Sequence, residues 1–584
     1  MHATDSRSHS YERHTPLKPS IATLCVSLGQ WFLVMGLLAL AGCSTMGPNQ
    51  SELITGSVNT ENVINYGMGY GQQRYSSLDK INRNTVKRLV PAWTLSLENE
   101  FGEQAQPMVY NGVMYVSNAK WTVAINALTG QQLWRTAVDF VPETPRVVCC
   151  GVSNKGLALY NGKVFRTTLD AHVVAMDQNT GKVVWKKKAA EWTEGYSQTV
   201  APQIANGVLM TGISGAEFGI RGFIDGWDPD TGNHLWRTYM TAGPEDKGHK
   251  TWEPRESYKT GGGSTWVTGS YDPQLDLTYW GTGNASPWNP TVRQGDNLYV
   301  ASIVALRPKT GEIVWHYQAT PNDIFDWDSV WEIILADIPV KGETRKVAMQ
   351  LNRNGFLYVL DRATGELLSA NKYGKVTWAT HVDMSTGRPV ESDVSKRLRA
   401  GELVQSWPNV RGAKNWMHAS FSPNTGLLYA NTINMPINLK LGKLDPYKAG
   451  QRYVGVDVIY PDPPKGEPVG HIEAIDPLSA QPKWRVPVYD SPLWTAMLTT
   501  AGGLLFDGKH TGEFFAMDID TGKVLWSFQT SSGINSQPIT WSYQGEQYVT
   551  VLSGLGGLQG LRSAELKKTV PMGGSVWTFK LLPQ

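Results

Sequence analysis

Basic residues form no extended stripe in this chain. Lys and Arg number 53 against 51 Asp and Glu, the net charge is +2, and charged residues make up only 18% of 584. With no stripe of positive charge to follow a phosphate backbone, nucleic acid is excluded as a partner. Cysteine is scarcer still, at four, and no CxxCH occurs, so this sequence offers no attachment site for a covalent c-type haem. Two of the four stand side by side, Cys149 and Cys150 in "PETPRVVCCGVSN". A bond between neighbours closes almost no loop, so it would be of little use as a staple. Phe is also sparse, at 14, whereas Trp and Tyr reach 23 each beside 59 Gly and 33 Pro. Large planar residues between frequent turns indicate an all-β protein with stacking surfaces.

Long apolar runs are missing except at the N-terminus. There a polar, basic lead ending at Lys18 gives way to an almost wholly apolar stretch from Ile21 to Ala41 that closes on "LALAGC". Small residues directly before Cys43 favour a cleaved secretory signal over a membrane span, although about 20 apolar residues are enough to cross a bilayer. The "LAGC" ending resembles the lipobox of bacterial lipoproteins. That resemblance implies a mature chain anchored to the membrane through lipidated Cys43, and Ser44 after it points to the outer membrane; an uncleaved anchor is the other reading. Cys25 would be lost with the signal. The domain reading is a signal peptide over 1–43, a linker over 44–64 and a β-domain over 65–584.

Self-alignment exposes one unit: "AINALTGQQLW" (124–134), "AMDQNTGKVVW" (175–185), "GWDPDTGNHLW" (226–236), "ALRPKTGEIVW" (305–315) and "AMDIDTGKVLW" (516–526). Two copies are worn: "VLDRATGELLS" (359–369) lacks the Trp and "AIDPLSAQPKW" (474–484) lacks the Thr-Gly. Asp and Thr-Gly make a tight turn between two strands, and the Trp packs over its neighbours. Alternating strands upstream complete a four-stranded propeller blade. "LVPAW" ending at Trp93 finishes a further unit whose other strands, "QYVTVLSG" and "VWTFKL", lie at the far end of the chain. The expectation is an eight-bladed β-propeller with tryptophan-docking-like repeats, closed by pairing its two ends, which removes the exposed edge.

The loops between these strands carry "TGISGAEFGIRGFIDGWD" (211–228), "GGGSTWVTGSYDP" (261–273), "YWGTGNASPWN" (279–289), "TPNDIFDWDSVWE" (320–332), "LNRNGFLYVLDR" (351–362) and "AKNWMHASFSP" (413–423). Together with the Cys pair, and in this order, they resemble the quinoprotein alcohol dehydrogenases, which hold pyrroloquinoline quinone (PQQ) and a metal ion at the hub of an eight-bladed propeller. The resemblance runs from about residue 65 to the end of the sequence.

It implies that Cys149 and Cys150 form a disulfide lying flat against one face of PQQ while Trp266 stacks on the other. Thr199, Ser214, Gly215 and Ala216 would bind its carboxylates. Lys155 falls where the family often has Arg, a point charge in place of a fork. Asn415, Trp416 and Trp494 would line the same pocket, with either Glu103 or Gln104 beside them according to register. Glu217, Asn284 and Asp326 match the metal positions, hard oxygen donors suited to calcium or another hard cation. Asp328 adds a third carboxylate and resembles the lanthanide-dependent branch. His418 and Leu558 depart from the family's usual Pro and Trp. Read without the resemblance, the cysteines could be two buried thiols, Trp266 a blade-packing residue, Arg353 a strand residue, and the acids turn residues.

The activity so implied is alcohol oxidation, with Asp326 as general base, Arg353 and the metal stabilising charge, and PQQ accepting the hydride. Electrons would leave to a separate periplasmic cytochrome c. Two rivals remain at this level: a non-catalytic propeller lipoprotein scaffold of outer-membrane assembly, and a PQQ dehydrogenase for a sugar, polyol or polymer alcohol.

Overall fold

Each Thr-Gly repeat folds as strand, tight turn, strand. In the copy His172–Asp177 to Val183–Lys188, Asp177 Oδ1 accepts hydrogen bonds from the backbone N of Asn179 and Thr180 (3.1 and 2.9 Å) and from Thr180 Oγ1. Gly181 then turns the chain at φ 69°. A side chain there would strike more than its own backbone, because the indole of Trp134, from the preceding unit, occupies the space a Cβ would need. Its Nε1 donates to Gln178 O at 3.1 Å. The same docking recurs from Trp93 to Ala127 O, Trp185 to Pro229 O, Trp236 to Pro308 O, Trp315 to Arg362 O and Trp484 to Ile519 O. Trp526 donates to Leu89 O, which brings the series back to its first strand.

The two worn copies are one compensated change. Where Trp is lost, Ser369 Oγ donates instead to Leu478 O at 2.7 Å, in the turn of the next unit. That turn is the one lacking Gly: Ala480 holds the left-handed φ of 58° and is 2% exposed. With no indole above it, there is room for a methyl group.

The computed structural model describes residues 47–557 and 564–583. The expected signal peptide with Cys43, and Leu558, lie outside the described residues. Among the described residues ten sheets form, seven of four strands, one of five, one of three and one of two. The first long strand, Leu89–Ser96, pairs antiparallel with Ser575–Leu581, joining the two ends of the chain as expected. Inner strands such as Phe223–Trp227 are buried at every residue, whereas outer ones such as Pro482–Val488 alternate. Apolar clusters fill the spaces between sheets, so each sheet buries both faces near the centre and one edge meets solvent. The protein is thus an all-β propeller of four-stranded units.

The described part of the segment read as a linker, from residue 47 on, is packed. Asn49 and Glu52 form a reciprocal capping box on the helix Gln50–Ile54, Leu53 is buried, and Val63 bridges to Val109. A short polar segment gave no periodic signal, yet a few apolar residues suffice to dock it. No helix among the described residues is long and apolar enough to cross a membrane. The chain between residues 379 and 460 adds a hairpin, the helix Asp393–Arg399 and the three-stranded sheet Val404–Ser406, Ile437–Leu441, Val456–Ile459.

Candidate cofactor and active site

The turn after Thr320 sorts its side chains by alternation. Asp323 accepts hydrogen bonds from the backbone N of Phe325 and Trp327 (both 3.0 Å), and those two rings stack on each other at 4.1 Å in the interior. Asp326 and Asp328 therefore face the other way, into a cavity. Asp326 adopts φ 63°, a conformation few non-glycine residues take and one that clusters at functional sites.

Arg353 reaches the same place from the end of the strand Glu343–Leu351, Gly412 leaving the space for its stem. Its guanidinium bridges the two acids, with Nη1 to Asp328 Oδ2 and Nη2 to Asp326 Oδ2 at 3.1 Å. Asp328 Oδ1 accepts from Asn284 N at 2.8 Å, so Asp328 is paired through both oxygens. Asp326 Oδ1 is buried without a partner. Glu217 enters from the turn Ala216–Phe218. Burial pushes the Glu217, Asp326 and Asp328 carboxyls above the ordinary range; for Glu217 and Asp326 the neighbouring acids push further, while Arg353 opposes the rise for all three.

The far wall holds the Cys pair. The structure brings the sulfurs of Cys149 and Cys150 together at the cavity surface. Trp266 lines the same cavity, held edge-on by Trp331 at 5.3 Å. Lys155 Nζ lies 4.8 Å from the Trp266 ring and 5.6 Å from that of Trp416, and donates to Thr199 Oγ1 at 3.2 Å. Burial among these groups pushes its pKa down to about 7. Thr199 Oγ1 stands 3.4 Å from Ser214 Oγ, and Gly215 turns at φ 125° where a Cβ would strike Gly195 O.

Cys149, Cys150, Lys155, Thr199, Ser214, Gly215, Trp266, Asn415, Trp416 and Trp494 share this cavity with Glu217, Asp326, Asp328 and Arg353. Ala216, Asn284 and Glu103 are buried just behind its surface rather than lining it. Of the two register candidates, Gln104 lines the cavity. Glu103 is engaged behind it by Asn99 and Asn118, and burial lifts its carboxyl to about 8. Arg411, Arg452 and Tyr460 at the cavity were not legible beforehand, since their segments carry no repeat signature; Trp288, also at the cavity, lies in the quoted motif over 279–289 but was not singled out there. A buried ion pair, Lys414 to Glu332 at 2.7 Å, also escaped notice, although a Lys beside "NW" was a visible signal.

The donors suit a planar polyanion between Trp266 and the sulfurs, with an ammonium, hydroxyls and an amide around its edge. They also suit a hard cation. Among the described residues no three His, Cys, Asp or Glu stand close enough to enclose a metal unaided. Yet two buried acids, Asp326 and Asp328, and the half-buried Glu217 stand around one bridging guanidinium, and the unpartnered Asp326 Oδ1 is the kind of atom a cation satisfies.

Comparison with known proteins places the chain in a family. The family profile "PQQ: Glucose/ethanol/alcohol dehydrogenase, beta-propeller domain" matches residues 64–382 and 465–549. The chain is 40% identical to quinoprotein alcohol dehydrogenase PedH of Pseudomonas putida, covering 94% of this chain and 96% of that one. It is 38% identical to the lanthanide-dependent methanol dehydrogenase of Methylacidiphilum fumariolicum, over 91% of each. Among solved structures, a europium-containing methanol dehydrogenase superposes with a TM-score of 0.87 at 36% identity, covering 91% of this chain and all of that one.

Proposed function

The chain belongs to the PQQ-dependent quinoprotein alcohol dehydrogenase family, and we propose that it is a periplasmic enzyme oxidising an alcohol to an aldehyde or ketone. The observation that carries the active-site assignment is the buried, unpartnered Oδ1 of Asp326 beside Arg353. A general base needs a free lone pair at the substrate, and Asp326 has one. Asp326 takes the hydroxyl proton; Arg353 orients its carboxylate and supplies positive charge where negative charge builds. PQQ, when bound, supplies the two-electron acceptor for the hydride. Trp266 and the Cys149–Cys150 disulfide would hold it flat, Lys155, Thr199, Ser214 and Asn415 would anchor its polar edge, and Gln104, Trp416 and Trp494 complete the pocket. Glu217, Asn284, Asp326 and Asp328 would hold one metal ion, a lanthanide(III) in our reading with Ca2+ as the alternative.

The eight sheets of four or five strands are read as eight blades spanning 65–584. Electron transfer to a separate cytochrome c is supported by the lack of a CxxCH motif. A lipid anchor at Cys43, on the periplasmic side of the outer membrane, is supported by "LALAGC" and Ser44; Cys43→Ala should move the protein out of the membrane fraction, and unchanged fractionation refutes the anchor. A scaffold has no use for the Cys pair, Trp266 or the acid cluster. The test is reconstitution with PQQ plus lanthanum or calcium, followed by an alcohol panel with an artificial electron acceptor. Turnover is expected only with both additions, and denatured holoprotein should release a quinone chromophore. No turnover and no chromophore would overturn the reading.

A further inference from the structure

The mouth of the cavity is built by chain that lies outside the repeats. Residues 383–464 fall between the two stretches matched by the family profile. Within them, the loop joining Ile437–Leu441 to Val456–Ile459 is fastened to the cavity floor. Tyr453 N donates to Glu217 O at 2.7 Å, Asn289 N to Val454 O at 3.1 Å, and Ser286 Oγ to Tyr453 O at 3.3 Å. These bonds hold the residue just before them, Arg452, near Glu217, close enough for its charge to act on that carboxylate.

Arg452 also stands at a junction. With Trp288 and Tyr460 it lines both the inner cavity and a second, outer one, so the two chambers meet at these three residues. The outer chamber is apolar along Leu444, Val454 and Val456. Two of its charges, Lys443 and Asp445, pair with each other at 2.9 Å. Among the described residues no carboxylate forms an ion pair with Arg452. An exposed guanidinium with no hydrogen bond or ion pair of its own among the described residues, on a pinned loop between an inner chamber holding the base and an outer one with an apolar strip, is a docking point for an organic anion.

We infer that the alcohol oxidised here carries a carboxylate, its hydroxyl at Asp326, its carboxylate on Arg452 and its aliphatic part against the apolar walls. The inference rests on the dehydrogenase reading above and names its substrate class. In the reaction the hydroxyl would give its proton to Asp326 and the carbinol carbon would give up a hydride, for which PQQ, when bound, supplies the acceptor; an aldehyde results and the carboxylate is unchanged. Binding through the far end positions the carbinol, so the preference should show in kcat/KM.

The experiment compares 1-alkanols with ω-hydroxyalkanoates of matched chain length on the PQQ- and metal-loaded enzyme, with Arg452→Gln and Arg452→Lys alongside. At low salt the hydroxy acid is expected to lead by about tenfold or more at its best length, a lead that shrinks as ionic strength rises. Arg452→Gln should lower the acid-to-alkanol ratio about tenfold, chiefly through KM, and Arg452→Lys should retain part of it. Unsubstituted alkanoates should inhibit competitively. Alkanols oxidised as well as hydroxy acids at every length, or a ratio indifferent to Arg452→Gln, would overturn the inference while leaving the dehydrogenase intact. Oxidation of neither series would overturn the dehydrogenase reading, and the inference with it.

Discussion

Arg353 Nη2 lies 3.1 Å from Asp326 Oδ2, while the other oxygen of that carboxylate is buried with no partner. One oxygen is used for orientation; the other has two lone pairs, one for a cation and one for a proton. Asp326→Asn preserves the shape and removes the base, so kcat should fall about 10²–10⁴-fold. Arg353→Lys keeps a charge but loses the bridge between Asp326 and Asp328, and a smaller loss is expected. Steady-state kinetics on the reconstituted variants measures both; an Asp326→Asn enzyme with near-normal kcat would transfer the base role elsewhere.

Lys155 gives a pH prediction whose sign follows from its burial. Its folded pKa, about 7, lies below the ordinary Lys value, so in the empty pocket the ammonium loses its proton as pH rises through 7. An anionic cofactor needs that proton back. PQQ affinity should therefore weaken as pH rises above about 7, by up to tenfold per pH unit, with proton uptake on binding. Lys155→Arg, permanently charged, should flatten this dependence. Quenching of tryptophan fluorescence titrated with PQQ from pH 6 to 9 measures it, and a wild type as flat as the variant would show that Lys155 remains protonated.

The docking series predicts a compensating pair of substitutions. Ser369→Trp restores the indole but drives it onto the methyl of Ala480, an overpacking that should cost about 1–3 kcal/mol. Ala480→Gly alone relaxes a left-handed alanine, opens a small void and should change stability little. The double variant should recover most of what Ser369→Trp loses. Urea unfolding of all four proteins gives the coupling energy, and strict additivity would mean that the two residues do not meet in the way proposed here.

That pair also shows what sequence reading reaches. Asp, Thr-Gly and Trp each do a job within about ten residues, so the repeat and its two worn copies were visible. That Ser369 and Ala480 compensate each other was not, because they are 111 positions apart and only the packing of adjacent sheets joins them. The acids at 326 and 328 were legible through their spacing, which alternates with Phe325 and Trp327. The choice between Glu103 and Gln104 was not: no strand covers these two residues, so no alternation tells inside from outside. Arg452 was silent for a related reason, since its position depends on backbone bonds from Tyr453 and its neighbours that no side-chain pattern announces.

The metal can be decided by charge counting around one side chain. Glu217, Asp326 and Asp328 together balance a trivalent ion, and Arg353, paired with Asp326 and Asp328, then leaves about one unit of positive charge for an anionic cofactor to meet; with a divalent ion the same four side chains leave the site neutral. Asp328 is also the acid paired through both oxygens, to Asn284 N and to Arg353, so it is fixed near the site, and those partners oppose the rise that burial imposes on its carboxyl. Lanthanum or cerium should accordingly activate the wild type at least about tenfold better than calcium, a difference of about 1.4 kcal/mol. Asp328→Ala should lose lanthanide-supported turnover, and Glu217→Ala should lose turnover with either metal. Metal stoichiometry of the purified variants, measured beside activity, separates lost binding from lost chemistry. Full activity with calcium alone and a silent Asp328→Ala would make Asp328 a loop acid and return the site to calcium.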